Sequence, residues 1–350
     1  MVSKKLYGVR PNIKDMTLAE IESFILHLGK ERYRARQIMK WLYQSGVASF
    51  HEMTNLSKNF RKEIDELARI GSILIETIQE SRDGTKKILF RLEDGHFIES
   101  VVLQEKNHLT LCISTQVGCR MGCRFCLTGR QGLTRNLNVS EIVDQITSLR
   151  FGIPEGRDIK NIVMMGMGEP LLNYENVVKA IDIITSDVGL SFSKRRITVS
   201  TCGIVPMIYQ LGKDMCVNLA VSLNATDNET RNHLMPVNRK YPLEELIAAC
   251  REYPMPRRRM ITFEYILIDS VNDRKEDAVR LSRLMNGIHC KFNLIPFNEF
   301  PESDLKKPSK ERIQRFRDML IKNNFTATVR PSKGSDILAA CGQLSGKANA

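Results

Sequence analysis

The sequence is short of several things, and each shortage excludes something. No stretch approaches the ~18 to 20 consecutive apolar residues of a membrane-spanning helix. The opening residues, MVSKKLYGVRPNIKD, lack the apolar centre of a secretory signal. No low-complexity tract and no short-period repeat runs through the 350 residues. The nine cysteines are odd in number and irregular in spacing. A secreted-type disulfide framework is therefore excluded, and free thiols in a reducing cytoplasm are expected. Acidic residues are in deficit: 52 Lys and Arg against 40 Asp and Glu leave a formal charge of +12. Such a surplus favours a polyanionic partner, RNA or DNA, through phosphate neutralisation and counterion release. The length allows one large domain with a small companion.

What is present concentrates in CISTQVGCRMGCRFCLTGRQGLTRNL, residues 112–137. Cys119, Cys123 and Cys126 form a C-x3-C-x2-C run. Three thiolates can hold three irons of a [4Fe–4S] cluster, which leaves the fourth iron to bind a small molecule. Gly118 and Gly122 free the backbone to turn tightly. Arg120 and Arg124 place positive charge beside what would be an anionic centre. The spacing resembles the signature of radical S-adenosylmethionine (SAM) enzymes. A zinc knuckle with a remote fourth ligand is the competing reading.

Residues 1–70 read as small helices. Thr17 and Glu20 form a capping box before LAEIESFILHL, and Gly29 ends that helix. A helix over 32–44 carries Arg32, Arg34, Arg36 and Lys40, as a solvated face or an RNA contact. Ser57 caps a third. Residues 71–108 change period: three strands separated by Asp83-Gly84 and Asp94-Gly95 make a meander. Glu99 lies in the third strand, where alternation points it to water by default.

From 109 to 350, strands near 109–115, 160–165, 195–201, 217–222, 259–268, 291–296 and 326–330 alternate with helices near 140–151, 174–186, 243–252, 274–287 and 309–323. Ser140 is the expected cap of the first of these helices. The pattern predicts an α/β fold, a partial (β/α)6 barrel with a small N-terminal helical domain and a short β meander. In such barrels the chemistry sits at the carboxyl ends of the strands. Gly168, Glu169, Ser200, Ser222, Asn224 and Asn298 collect there.

The cluster loop, GMGEP at 166–170, STCG at 200–203, SLNA at 222–225, NLIPFN at 293–298 and GSDILAACGQL at 334–344 together resemble the RlmN family of adenine-C2 RNA methyltransferases, which are radical SAM enzymes. The resemblance covers nearly the whole chain. It implies that Cys119, Cys123 and Cys126 ligate a [4Fe–4S] cluster. It implies that Gly168 and Glu169 bind the amino group of SAM, and that Ser200, the Ser222–Leu223–Asn224 turn and Asn298 complete that site. The family usually has His where Asn224 stands, and Asn cannot carry a proton at neutral pH.

The resemblance also makes Cys341 the methyl acceptor, Glu99 the proton acceptor and Cys112 the residue that releases product through a disulfide with Cys341. Cys202, Cys216, Cys250 and Cys290 match no motif and read as core. The implied substrates are a 23S rRNA adenosine and, in many bacterial members, a tRNA adenosine beside the anticodon. An electron donor such as a flavodoxin or ferredoxin is implied, no membrane is involved, and a monomer is expected. Two rivals remain: a C8-methylating sister family, whose usual Ala is Pro170 here, and a non-catalytic iron–sulfur RNA-binding protein.

Overall fold

The first and third helices of the N-terminal segment begin where a short polar side chain, Thr17 or Ser57, satisfies a free backbone N–H group. The computed structural model describes residues 10–300 and 303–346, so most of the opening segment MVSKKLYGVRPNIKD lies outside the described residues. Helix α1 (Leu18–His27) starts with the expected capping box: Thr17 N–H donates to Glu20 at 2.8 Å and Glu20 N–H to Thr17 at 3.4 Å. Gly29 follows at φ +68. Helix α2 (Tyr33–Lys40) widens into a π turn over Trp41–Ser45. Helix α3 (Lys58–Leu67) is capped by Ser57. Ile21, Ile25, Ile38, Tyr43 and Ile64 are fully buried and form the centre of this unit.

Strands β1 (Leu74–Glu80), β2 (Lys86–Arg91) and β3 (Phe97–Gln104) form the antiparallel meander. It is continuous with the barrel: β3 pairs antiparallel with β4 (Leu109–Cys112), with Val101 opposite Cys112. The cluster region then adds a hairpin of β5 (Gln116–Cys119) and β6 (Gly132–Asn136) around the short α4 (Leu127–Arg130). A Cβ on Gly118 would stand 2.1 Å from the Gly132 carbonyl oxygen, so only glycine fits that crossing.

The remaining elements alternate: α5 (Val139–Gly152), β7 (Ile159–Met164), α6 (Tyr174–Thr185), β8 (Ile197–Thr201), α7 (Val205–Asp214), β9 (Asn218–Ser222), α8 (Asn228–Leu234), α9 (Leu243–Glu252), β10 (Ile261–Leu267), α10 (Lys275–Leu284), β11 (Cys290–Pro296), α11 (Lys310–Lys322) and β12 (Thr326–Val329). The sheet runs β1-β2-β3-β4-β7-β8-β9-β10-β11-β12, parallel from β4 onward. This is the expected partial barrel. Helices α7 and α8 were not expected: Pro206 and Gly212 disguise the first, and the second is short and polar. The β5–β6 hairpin was also not expected. The cap of α5 is Asn138 with Glu141. Ser140 instead donates its N–H to Asp15 at 2.8 Å.

That bond and a buried ion pair between Lys14 and Asp144 fasten the N-terminal unit to α5. Burial raises the Asp144 carboxyl, and Lys14 opposes that rise. Removing the ammonium leaves a carboxyl group buried beside no cation. Lys14→Met should therefore cost about 3–5 kcal/mol in urea unfolding. The double variant Lys14→Met/Asp144→Leu should recover most of that loss. A single variant with wild-type stability would show that the pair does not fasten the unit.

Candidate active site

The motif residues meet because consecutive parallel strands all end on one side. Glu169 follows β7, Cys202 follows β8, Asn224 follows β9 and Asn298 follows β11. Two adjoining cavities open there. One, of about 150 Å³, is lined by Cys119, Cys123, Cys126, Gly168, Glu169, Ser200, Ser222, Asn224 and Glu264. The other, of about 100 Å³, is lined by Cys112, Thr128, Asn298, Arg330 and Lys333. Cys341 and Cys126 line both.

Around the larger cavity Glu169 and Asn224 are anchored by backbone N–H groups. Glu169 is 3% exposed, and its carboxylate accepts the N–H groups of Cys202 at 2.7 Å and Leu171 at 3.1 Å. Burial raises this carboxyl, and the bonds from Cys202 oppose the rise. Gly168 has φ +102 and touches Gln116 so closely that a Cβ would lie 2.6 Å from its side chain. Asn224 sits in the left-handed region at φ +57. Asn tolerates that conformation better than most residues. Its side chain is already engaged, accepting Ile266 N–H at 2.8 Å. Leu223 is in the core and does not line the cavity.

Around the smaller cavity, register decides what faces inward. Val101 opposes Cys112 across β3 and β4, and Lys87 opposes Val101 across β2 and β3. Opposed residues share a face, and Glu99 lies two residues from Val101. Glu99 is therefore on the Cys112 face. It is 2% exposed, against the default of an outward carboxylate, and its Oε1 pairs with Lys87 Nζ at 3.2 Å. Its Oε2 accepts the N–H groups of Ser345 at 2.7 Å and Gly346 at 2.9 Å.

A C-terminal strap thus closes over the site. Leu127 N–H donates to the Gly342 carbonyl at 2.7 Å, and the Thr128 hydroxyl to Leu344 at 2.6 Å. Asn298 Nδ2 donates to the Cys341 carbonyl at 3.0 Å. Burial pushes the Cys112 thiol up to about 12 and also raises Cys341, while Arg330 pulls both back. Every cysteine is free, Cys112 and Cys341 included. Cys216 is exposed, so the core reading fails for it, and Cys202 lines the larger cavity.

Comparison with known proteins places the chain. Residues 11–70 match the profile of the ribosomal RNA large subunit methyltransferase N-terminal domain, and residues 113–282 that of the radical SAM superfamily. The dual-specificity RNA methyltransferase RlmN of Syntrophus aciditrophicus (strain SB) is 63% identical over 97% of both chains. The protein of that name from Geobacter sulfurreducens (strain ATCC 51573 / DSM 12127 / PCA) is 54% identical over 97% of this chain and 93% of its own. The chain belongs to the RlmN family of radical SAM RNA methyltransferases. A crystal structure of a radical SAM methyltransferase from Sphaerobacter thermophilus agrees in fold, with a TM-score of 0.90 and 45% identity, over 96% of this chain and 100% of that one.

RlmN enzymes use a [4Fe–4S] cluster and SAM, and the residues here fit both. No three His, Cys, Asp or Glu side chains among the described residues converge on a single metal ion. Zinc at about 2.3 Å from each sulfur would require that. The three thiols instead surround a cavity. Gly129 allows close packing there, since a Cβ would lie 3.1 Å from Cys123 N. Burial pushes Cys119 up to about 12 and raises Cys123 and Cys126, so the thiolates need a bound cation to form.

Four members of this RlmN site escaped the sequence reading. Arg231 is fully buried and donates to the carbonyls of Cys202 at 2.7 Å, Leu223 at 3.0 Å and Ser222 at 3.2 Å, and to Asn238 Oδ1 at 2.9 Å. Burial pushes its guanidinium down to about 10. It lies near enough to Cys123 to favour that thiolate. Arg124 was expected there, but it pairs with Asp304 at 2.7 Å. Lys87 and Arg330 are the second and third. Each is an ordinary basic residue in a strand or loop, without a motif around it.

Glu264 is the fourth. It accepts Asn293 Nδ2 at 2.7 Å. Burial pushes its carboxyl up to about 7 from the usual 4.5, against the pull of Arg330. A raised carboxyl contributes stability that is complete below its unfolded value and is lost as pH rises through the folded one. Glu264→Gln should therefore gain on wild type between pH 5 and pH 8, by on the order of 3 kcal/mol in urea unfolding. An equal difference at both pH values would show that Glu264 is already ionised at pH 5.

Proposed function

We propose that this enzyme methylates C2 of an adenosine in 23S rRNA and of an adenosine in tRNA, using Cys341 as a methyl carrier. The supporting observation is that Cys341 lines both cavities, one bounded by Cys119, Cys123 and Cys126 and the other by Cys112. A carrier between a methyl donor and an RNA base needs that position. The relatives' name, dual-specificity RNA methyltransferase, supports both RNA classes.

Adenine C2 is not nucleophilic, so the methyl carbon must be activated before it can bond there. When bound, the cluster and SAM would supply the methyl group and the radical chemistry that activates it. Cys119, Cys123 and Cys126 would hold the cluster. Gly168, Glu169, Ser200 and Ser222 hold SAM, with Leu223 and Asn224 acting through their backbone. Asn298 holds the Cys341 loop. Cys341 accepts the methyl as a thiolate, assisted by Arg330.

Once the carbon is bonded to the base and the adduct has given up its unpaired electron, for which the cluster would be the acceptor, Glu99 takes the C2 proton. Cys112 as thiolate then attacks the Cys341 sulfur: the S–S bond forms as the S–C bond breaks, the released carbon takes a proton to become the methyl group, and a disulfide is left for an external thiol to reduce. For Glu99 to act, Ser345 and Gly346 must first give up its carboxylate. A flavodoxin or ferredoxin would supply electrons to a monomeric enzyme.

Mass spectrometry of nucleosides from rRNA and tRNA treated with reconstituted enzyme tests the reading. C2-methyladenosine is expected; C8 methylation or none would overturn it. Cys112→Ala should stall after addition to the base. It should accumulate an RNase-sensitive protein–RNA conjugate with turnover reduced at least ~100-fold, the scale of losing an essential residue. Cys341→Ala should give neither product nor conjugate. Normal turnover by Cys112→Ala would remove the releasing role from Cys112.

A further inference from the structure

The barrel face opposite the catalytic mouth carries a rim of unneutralised cations. Basic residues gather at the amino ends of three strands. Arg157 and Lys160 stand at the start of β7, Lys194, Arg195 and Arg196 precede β8, and Arg257, Arg258 and Arg259 precede β10. Residues 191–196 and 254–260 contain no acidic side chain. Arg150, at the end of α5, joins Arg157, Lys160, Arg196, Ser191 and Ser193 around a recess of about 250 Å³.

None of these nine cations pairs with a carboxylate among the described residues. Those with side-chain bonds use neutral acceptors. Arg150 donates to the Leu190 carbonyl at 3.1 Å, Arg196 to Asn161 Oδ1 at 3.1 Å and Lys160 to the Arg157 carbonyl at 3.1 Å. Burial and then Arg157 push the Arg150 guanidinium down. Nearby carboxylates are engaged elsewhere: Glu155 with Lys86, Asp187 with Arg36, and Asp214 with Tyr174 and Gln210. Asp158, in the first loop, and Glu252, at the end of α9, remain, both exposed, so the nine cations still outnumber the nearby carboxylates left unpaired among the described residues.

The arginines of the N-terminal helix differ. Arg32, Arg34 and Arg36 pair with Glu22, Glu31 and Asp187. Cations that already have a carboxylate release fewer counterions to a phosphate backbone than cations that have none.

We propose that this rim is an RNA-binding surface, which takes phosphates of the substrate RNA outside the segment that enters the catalytic mouth. The proposal rests on the RNA methyltransferase reading. The rim adjoins the N-terminal unit, because Gln44 donates at 2.8 Å to the Asp187 carbonyl, which also accepts the hydroxyl of Ser191, a residue lining the recess. It lies about 20 Å from the mouth along the six residues of β7. Only an extended folded RNA reaches both. An acidic electron carrier fits less well, because it must approach the cluster at the other ends of the strands.

The test uses the full-length enzyme and two RNAs with the same target adenosine: a folded tRNA and a short hairpin cut from it. The variant is Arg195→Gln/Arg196→Gln/Arg257→Gln/Arg258→Gln, with Arg157→Gln/Lys160→Gln as a second, independent set. For the folded RNA, the slope of log affinity against log salt should flatten by about 3 in the fourfold variant and by about 2 in the twofold one. The KM for that RNA should rise at least tenfold with kcat unchanged. The hairpin should show neither change.

An unchanged slope with folded RNA overturns the proposal. So does an equal loss on both RNAs, or slower cluster reduction with RNA binding intact. Because affinity is read without turnover, a wild-type enzyme that bound RNA with the steep slope yet made no product would count against the activity alone.

Discussion

A guanidinium buried without a carboxylate binds the cofactor side of the barrel together. Arg231 reaches the loop after β8 through Cys202 and the turn after β9 through Ser222 and Leu223. Such a charge survives burial because a planar fork of five donors meets acceptors on several sides. The loops it joins carry Cys202, whose N–H fixes Glu169, and Asn224, whose side chain fixes the end of β10. Positions that are far apart in sequence thus depend on one side chain. The same charge stands where three thiolates would gather.

Strand register supplies the other half of the site. Glu99 and Cys112 come from neighbouring antiparallel strands, and Lys87 from the next one out. A one-residue slip between β3 and β4 would turn Glu99 toward the opposite face. The meander therefore walls the smaller cavity as well as continuing the sheet. The strap that brings Cys341 also ends on Glu99, so one loop holds both the Glu99 carboxylate and the Cys341 thiol.

Much of this was legible beforehand. Capping at Thr17 and Ser57, the Gly-marked turns and the alternation of strands and helices are local signals, and local signals survive folding. The cysteine triad was legible from its spacing and the motif loops from their resemblance to a known family; that strand ends share one side of a parallel sheet is why those loops meet. Arg231, Lys87, Arg330 and Glu264 were not, because each acts through partners on other strands or loops, beyond the reach of any local pattern, and none has a distinctive neighbourhood. Glu99 shows the limit most clearly. Alternation identifies two faces, but which face is wet depends on what packs over them. Helix α7 was hidden by Pro206, which is tolerated in a first helical turn.

The burial that raises the thiols has a protective side. A thiol reacts with peroxide or an electrophile in proportion to its thiolate character and its access. Cys112 is poor in both, and Cys341, half-buried against the cavities, is poor in the first. An idle molecule in an oxidising or alkylating cell would thus keep Cys112 intact above all. Damage would fall first on the exposed Cys216, whose loss touches no part of the site.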